Sequence, residues 1–476
     1  MEVGRGALAL HTTRGPRLPR FTRELPLAIE EGAPFNIMTP WITYTIIAIN
    51  IFIYVVTSWR AGFIASTNDW IVRLGFVPLY MLLEPVSAYK IFTAMFTHAN
   101  IFHILFNMYF LYLFGRAVER TLGHIRYLVL YILSGIFAAL FHTVFMFIQD
   151  PNGLAIPSVG ASGAISGILG AYMMLYPGTR LVACFLLLFF PACFELLAVY
   201  YLLFWFMIQV LEGYLSVNST VAFFAHAGGF IAGIALLPLL VDRTRLAIMR
   251  VYASARRLFG VIVFIPEFYR GRGLSPTSKT ILLALISMLL VGSTAAFIFS
   301  TTIDVKFAGY SVEWRSTGPI HRDVAFLGIA ETRGTIVPLL EATETIEARV
   351  LINTLADSGL LYNPNLAGKQ VVLAAPQLRE SAIVVDITQF HRLKVMIRPY
   401  YFEGAYNTEG FLTNSYVEAS LMAINTRENI AARLTLIALR SPQFLVESIS
   451  LLSLVATLTS IYVVAYRDEK YVVTPE

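Results

Sequence analysis

Gly160-Ala161-Ser162-Gly163-Ala164-Ile165-Ser166-Gly167-Ile168-Leu169-Gly170-Ala171-Tyr172-Met173-Met174-Leu175-Tyr176 puts a serine between glycines at the mouth of an apolar run. The run has the composition of a membrane helix, and a hydroxyl at its head is unusual. Polar groups at membrane depth are costly to bury and tend to be functional. Read as a nucleophile, Ser162 implies acyl-transfer chemistry inside the bilayer. Read as a small packing residue, it is one of many that let membrane helices touch.

The rest of the chain supports a membrane setting. Apolar residues make up 57% of the 476 and charged residues only 14%, against about 25% charged in soluble proteins. The net charge of +5 is no nucleic-acid signal, because the basic residues cluster beside apolar spans. Cys184 and Cys193 both lie in an apolar stretch and imply no disulfide framework.

A span needs about 20 apolar residues. Eight stretches qualify: 41–58, 91–115, 127–148, 159–176, 192–211, 223–241, 281–300 and 444–466. The run 181–211 is too long for one span and is interrupted by Pro191, so its first part reads as a short re-entrant or interfacial segment. Arginines fix the orientation. Arg5, Arg14, Arg17, Arg20 and Arg23 precede the first span; Arg116, Arg120 and Arg126 follow the second; Arg243, Arg245, Arg250, Arg256, Arg257, Arg270 and Arg272 follow the sixth. The opposite short loops hold only Arg60, Arg73 and Lys90. This bias predicts cytoplasmic termini in a cell membrane. The arm 1–39 reads as a basic cytoplasmic tail, since its glutamates argue against a transit peptide. Residues 242–279 read as a basic linker, with 242–259 either an amphipathic helix on the inner leaflet or a plain charged connection.

This topology brings three polar sites to a common depth on the outer side. Ser162 heads the fourth span, and His226 lies near the outer end of the sixth. His98, His103 and Asn107 lie in the outer half of the second, with His103 and Asn107 one helical turn apart on one face. A serine needs a neighbouring base, and neutral histidine serves near pH 7. Asn107, His103 and the Ser162 N–H are candidate donors to an oxyanion, with His98 an oxyanion or loop-ordering residue. Gly163, Gly167 and Gly170 on the fourth helix, and Gly229 and Gly233 on the sixth, are small-residue faces that let these helices meet. Gly160 leaves room for close backbone approach.

Taken in order, these motifs resemble the rhomboid family of intramembrane serine proteases over residues 40–241. Pro40-Trp41-Ile42-Thr43 leading to Asn50, Leu74-Gly75-Phe76-Val77-Pro78, and the His103/Asn107 pair followed by Gly115, Glu119 and Gly123 are similar to the family's early segments. Gly160-Ala161-Ser162-Gly163 is similar to its nucleophile motif, and His226 with Gly229 and Gly233 to its sixth span. The resemblance implies a Ser162–His226 dyad with no acidic third member and an oxyanion site formed with His103 and Asn107. It implies hydrolysis of peptide bonds in or near transmembrane segments of protein substrates, with no metal or cofactor. Two departures stand out: Tyr89-Lys90 replaces a common Trp-Arg, and Ser166 replaces an aromatic that packs on the catalytic histidine. The rival reading is a rhomboid-like pseudoprotease, an adaptor that binds client helices. Such proteins typically lack the serine or the histidine, and this chain keeps both.

Other residues read as structural. Glu119 is expected to be a loop acceptor, His142 a satisfied packing residue, and Glu212 an interfacial group. Glu195, in the fifth span, has no evident partner. A zinc site would want His-Glu-x-x-His, which is absent. Asn218-Ser219-Thr220 is an outer-side glycosylation sequon.

The expected architecture is mainly α. It is a polytopic protein with a six-helix rhomboid-like core, further spans at 280–300 and 442–466, a tail 467–476, and an inserted extracytoplasmic mixed α/β domain at 301–441. Strand-like runs lie at 370–374, 382–387 and 393–397, and helix-like stretches at 339–355 and 416–439. This insert is expected either to recruit or screen substrates or to be a structural or partner-binding cap.

Overall fold

The computed structural model describes residues 30–31, 38–149, 153–154, 156–187, 190–216, 221–253, 255–258, 261–264, 273–302, 305–316, 318–330, 335–337, 346–378, 381–388, 391–423, 426–474 and 476. For some of these, including 182–187, 190–194, 255–258 and 381–388, only the backbone is described. Most of the N-terminal arm, the Asn218 sequon and the two cysteine side chains lie outside this description.

The membrane body is helical. We label its helices α1 (Trp41–Ser58), α2 (Ile101–Phe110, continued through a π-helical turn to Leu122), α3 (His124–Gln149), α4 (Ser162–Leu175), α5 (Ala198–Leu215) and α6 (Phe223–Leu240). After them come α7 (Arg243–Ala253), α8 (Pro276–Thr302), α9 (Ile346–Asp357) and α10 (Gln443–Tyr466). Seven helices among the described residues are long and apolar enough to cross a membrane, and the protein is an integral, multi-pass membrane protein. Helix α4 is the eighth expected span. Its 14 residues rise only about 21 Å, short of the ~30 Å hydrocarbon core. The shortfall follows from its position. Every residue from Ala164 to Leu175 is buried among other helices, so α4 does not have to match the lipid thickness.

Two span boundaries differ from the sequence reading. The second span starts at Ile101, not Ile91. Lys90–Ala94 is a separate short helix, and Asn100 caps α2 by accepting from the His103 N–H at 2.9 Å. His98 therefore lies in the turn before the span. The fifth span starts at Ala198. The expected re-entrant segment is an antiparallel hairpin, β1 (Arg180–Leu187) and β2 (Phe190–Leu197), with Glu30–Glu31 paired along β1. Pro191 has no N–H for a helix ladder, and a strand beside a turn tolerates it. The hairpin accounts for Glu195: it pairs with Arg180 at 3.0 Å, and both side chains are more than half exposed.

Buried carboxylates tie the helix ends together. Glu119 is fully buried. It accepts from the N–H groups of Ile42 (2.9 Å) and Thr43 (2.8 Å), the Thr43 hydroxyl (2.6 Å) and His124 Nδ1 (2.6 Å). It thus satisfies the orphan donors at the start of α1, which has no side-chain cap of its own. Asp468 does similar work beyond α10, accepting from the Leu274 N–H (3.0 Å) and from Lys279 Nζ (2.9 Å).

The last two spans are built into the body. Ser450, Ser453, Thr457 and Ser460 form a buried small-residue stripe on α10. Ser460 Oγ donates to the Ile231 carbonyl of α6 at 2.9 Å. Beyond α10, the Val473 N–H donates to Leu175 O at the end of α4 (2.6 Å), and Arg250 of α7 donates to Val472 O (2.8 Å). The chain after residue 442 thus holds both α4 and α6.

Between α8 and α10 the chain forms an eight-stranded antiparallel sheet. Its strands are β3 (Val305–Arg315), β4 (His321–Ala330), β5 (Thr335–Val337), β6 (Gln370–Ala374), β7 (Ser381–Thr388), β8 (His391–Tyr406), β9 (Leu412–Ala423) and β10 (Thr426–Arg440). The order is β7-β8-β9-β10-β3-β4-β5, with β6 also paired to β8. Helix α9 buries Val350, Leu351 and Leu355 in the same apolar cluster as Tyr310, Phe402, Val417 and Leu434. The three strand-like runs correspond to β6, β7 and β8. The helix expected at 416–439 is instead the β9–β10 hairpin. Ile430, Ala432 and Leu434 are buried while Arg433 and Thr435 are exposed, a period of two. The first helix-like stretch begins only at Ile346; residues 339–345 lie outside the description.

Replacing Glu119 with Ala strands the two buried donors of Thr43 and the part-buried Ile42 N–H. We expect a loss of about 3 kcal/mol or more, read as a lower Tm in detergent, with Glu119→Gln less damaging.

Candidate active site

Helices α4 and α6 meet backbone to backbone. A Cβ on Gly229 would run into the Gly163 carbonyl oxygen, one on Gly233 into the Gly167 carbonyl, and one on Gly170 into the Phe230 carbonyl. This approach sets the heads of the two helices close enough for a direct side-chain bond. Ser162 Oγ and His226 Nε2 lie 2.8 Å apart.

The pair opens into a cavity of about 730 Å³, lined by Phe102, His103 and Asn107 of α2, His142 of α3 and Trp205 of α5. Gly160 sits at its edge with φ +121°, a backbone conformation that favours glycine, and a Cβ there would fall 2.6 Å from His103 Nε2. Its absence leaves the space between His103 and Ser162 open. Asn107 Nδ2 donates one hydrogen to His103 O at 2.8 Å and retains a second. His98 is fully buried behind His103, its ring edge-on at 5.1 Å, and its Nε2 accepts from the Ala161 N–H at 3.5 Å. That contact ties His98 to the backbone preceding Ser162, the loop-ordering arrangement.

Each sequence-level candidate therefore lies at or against one cavity: Ser162, His226, His103, Asn107 and Gly160 line it, and His98 backs it. Gly163, Gly167, Gly229 and Gly233 make the helix contact behind it. His142 departs from the expectation of a satisfied packing residue. It lines the cavity, and its Nδ1 has no hydrogen-bond partner among the described residues. Ser166 donates to the Ser162 carbonyl at 2.7 Å, so its hydroxyl is satisfied within α4 and does not engage the imidazole.

Two residues escaped the sequence reading, both on α5. Gln209 Oε1 lies 2.7 Å from His226 Nδ1, and the Trp205 ring packs against His226 with centroids 6.1 Å apart at 33°. The signal was present: an amide within an apolar span is costly to bury unless it is hydrogen-bonded, and so implies partners.

Part of the chain is similar to known proteins. Residues 85–243, a third of the chain, match the rhomboid domain family. Over these residues the chain carries a rhomboid domain. Among curated relatives, the rhomboid protease AarA of Providencia stuartii is 30% identical over 31% of this chain and 54% of its own length. The rhomboid protease GluP of Bacillus subtilis is 33% identical over 32% of this chain and 27% of its own. RHOMBOID-like protein 1 of Arabidopsis thaliana is 27% identical over 30% and 41%. The chain thus spans about half or less of the length of these relatives.

The glycine contact yields a direct expectation. Gly229→Val drives methyl groups into the Gly163 backbone and forces α6 away from α4. Over-packing of this kind costs about 1–3 kcal/mol, so the variant should show a lower Tm in detergent, whereas Gly318→Ala, where no atom lies within reach, should lose less.

Proposed function

We propose that the chain is an intramembrane serine endopeptidase that hydrolyses peptide bonds in or near transmembrane segments of protein substrates. The observation that carries the reading is the 2.8 Å Ser162–His226 pair at the mouth of a cavity in a rhomboid domain. In the proposed reaction His226 Nε2 takes the Ser162 proton as Oγ attacks the scissile carbonyl carbon. The resulting oxyanion is met by donors around Gly160, with the Ser162 N–H, His103 and Asn107 as candidates. The imidazolium then gives its proton to the leaving amine, and the acyl-enzyme forms. Water, deprotonated by the same nitrogen, attacks the ester, and Oγ recovers its proton as the acid product leaves. The site residues supply every proton transfer, and the reading calls for no cofactor.

The bundle supports a site that opens outward. Leu175 accepts from Val473, and Lys279 pairs with Asp468 five residues before it, at the end of the body that also carries the Arg126–Asp242 pair. Ser162 heads α4 at the other end, and Phe147 and Phe299 meet there at 5.8 Å. With the arginine-rich end cytoplasmic, the cavity and the sheet carried by α8 and α10 share the outer side. We read residues 301–441 as an extracytoplasmic mixed α/β domain placed to recruit or screen substrates.

A fluorophosphonate probe tests the chemistry. The wild type should label and cleave a model transmembrane substrate, while Ser162→Ala and His226→Ala lose cleavage by about 10⁴-fold or more. Absence of Ser162-dependent labelling together with absence of cleavage would favour a non-proteolytic adaptor. The insert is tested by replacing 303–441 with a flexible linker, keeping α8 and α10. Cleavage of a soluble-tailed substrate should fall while probe labelling persists. Unchanged cleavage of every substrate would sink the recruitment idea.

A further inference from the structure

Nothing in the rhomboid resemblance supplies a third partner for the histidine, and Ser166 removes the aromatic neighbour that would steady it from α4. The steadying contacts here come from α5. Gln209 is 6% exposed and makes two hydrogen bonds. Its Nε2 reaches the Trp205 carbonyl one turn back on its own helix at 3.3 Å, and its Oε1 faces His226 Nδ1 at 2.7 Å.

The first bond decides the second. A backbone carbonyl can only accept, so the amide –NH₂ must point at Trp205 O. Oε1 then faces His226, and an amide oxygen can only accept, so the proton sits on Nδ1. In neutral imidazole the other nitrogen is then the bare acceptor. That nitrogen is Nε2, the one facing Ser162 Oγ. Turning the amide over would set two oxygens against each other at Trp205. It would also make the amide nitrogen donate to Nδ1, move the ring proton to Nε2, and leave Ser162 facing an N–H.

We infer that Gln209 is a positioning residue that locks His226 in the Nδ1–H tautomer through an amide anchored on the Trp205 carbonyl. The role rests on the proposed serine chemistry for its effect on rate, but not for its effect on the tautomer. Trp205 limits ring rotation from the same helix face. The site is then a Ser162–His226–Gln209 relay of contacts, with orientation supplied by a neutral group. Gln209 stays remote from the reacting carbonyl, and no proton leaves Nδ1 during the cycle.

The test has two independent readouts on the full chain in liposomes. The first is ring-nitrogen NMR of histidine-labelled protein, with His226 assigned from the His226→Ala spectrum. The wild type should show the Nδ1–H tautomer, and Gln209→Met should mix the tautomers. A wild-type spectrum with the proton on Nε2 overturns the inference whatever the activity. The second is kinetic. Gln209→Met should lower kcat about 10- to 100-fold with little change in KM. Gln209→Glu can accept from Nδ1 and, when protonated, still donate to Trp205 O, so it should restore most of that loss. A change confined to KM, or an unchanged kcat, overturns the inference, as does failure of Glu to rescue. If the wild type neither labels nor cleaves, the protease reading fails, and the tautomer measurement still decides the role of Gln209.

Discussion

The backbone contact between α4 and α6 is the constraint on which the rest of this structure depends. Helices normally pack about 8–10 Å apart, and a serine and a histidine are short side chains. Only where Gly229 and Gly233 let α6 rest on the carbonyls of Gly163 and Gly167 can Ser162 and His226 bond directly. In lipid there is no hydrophobic force between helices to supply this closeness, so it must come from shape. The same logic explains why α4 is short and wholly enclosed. A helix that presents its backbone to neighbours has little left to present to lipid, and its polar head lies within a cavity walled by α2, α3 and α5.

That contact is braced from behind. Ser460 bonds the α6 backbone five residues past His226, and Val473 takes the carbonyl at the end of α4. Both belong to the chain that follows the sheet. The two helices that carry the candidate dyad are thus stapled by α10 and the segment after it, so removing that part of the chain would disturb the pair itself. An experiment on the insert has meaning only when α8 and α10 are retained.

Much of the site was legible in the sequence because its parts are short-range and chemically costly. A serine among glycines, a histidine in an apolar span and an i, i+4 His–Asn pair each stand out against hydrocarbon. The spans were legible for the same reason. What escaped reading was decided by partners elsewhere. Glu195 looked intramembrane because the run around it is apolar, and only the β1–β2 hairpin shows that Arg180 meets it in the open. The β9–β10 pair read as one helix because residues 416–439 are rich in alanine and leucine. The stretch Ile424-Asn425-Thr426 holds no glycine or proline to break a helix reading, and the alternation of Ile430, Ala432 and Leu434 emerges only once one face is buried. Gln209 was passed over because a lone amide announces no chemistry until its two neighbours are known.

A neutral partner for the histidine suits the setting. An ionised carboxylate at this depth would carry a desolvation penalty of several kcal/mol, which its attraction to a transient imidazolium need not offset. An amide avoids that cost, because its burial is compensated by the two bonds it makes. It gives less stabilisation to the charged ring than an acid would, but it fixes the tautomer just as firmly, since that depends on which atoms can donate. For a base that must be neutral before attack, in a cavity where every uncompensated charge is expensive, orientation without charge is the more economical solution. The Trp205 carbonyl completes it: a backbone atom that cannot reverse its role holds the amide, the amide holds the imidazole, and the imidazole presents its bare nitrogen to Ser162.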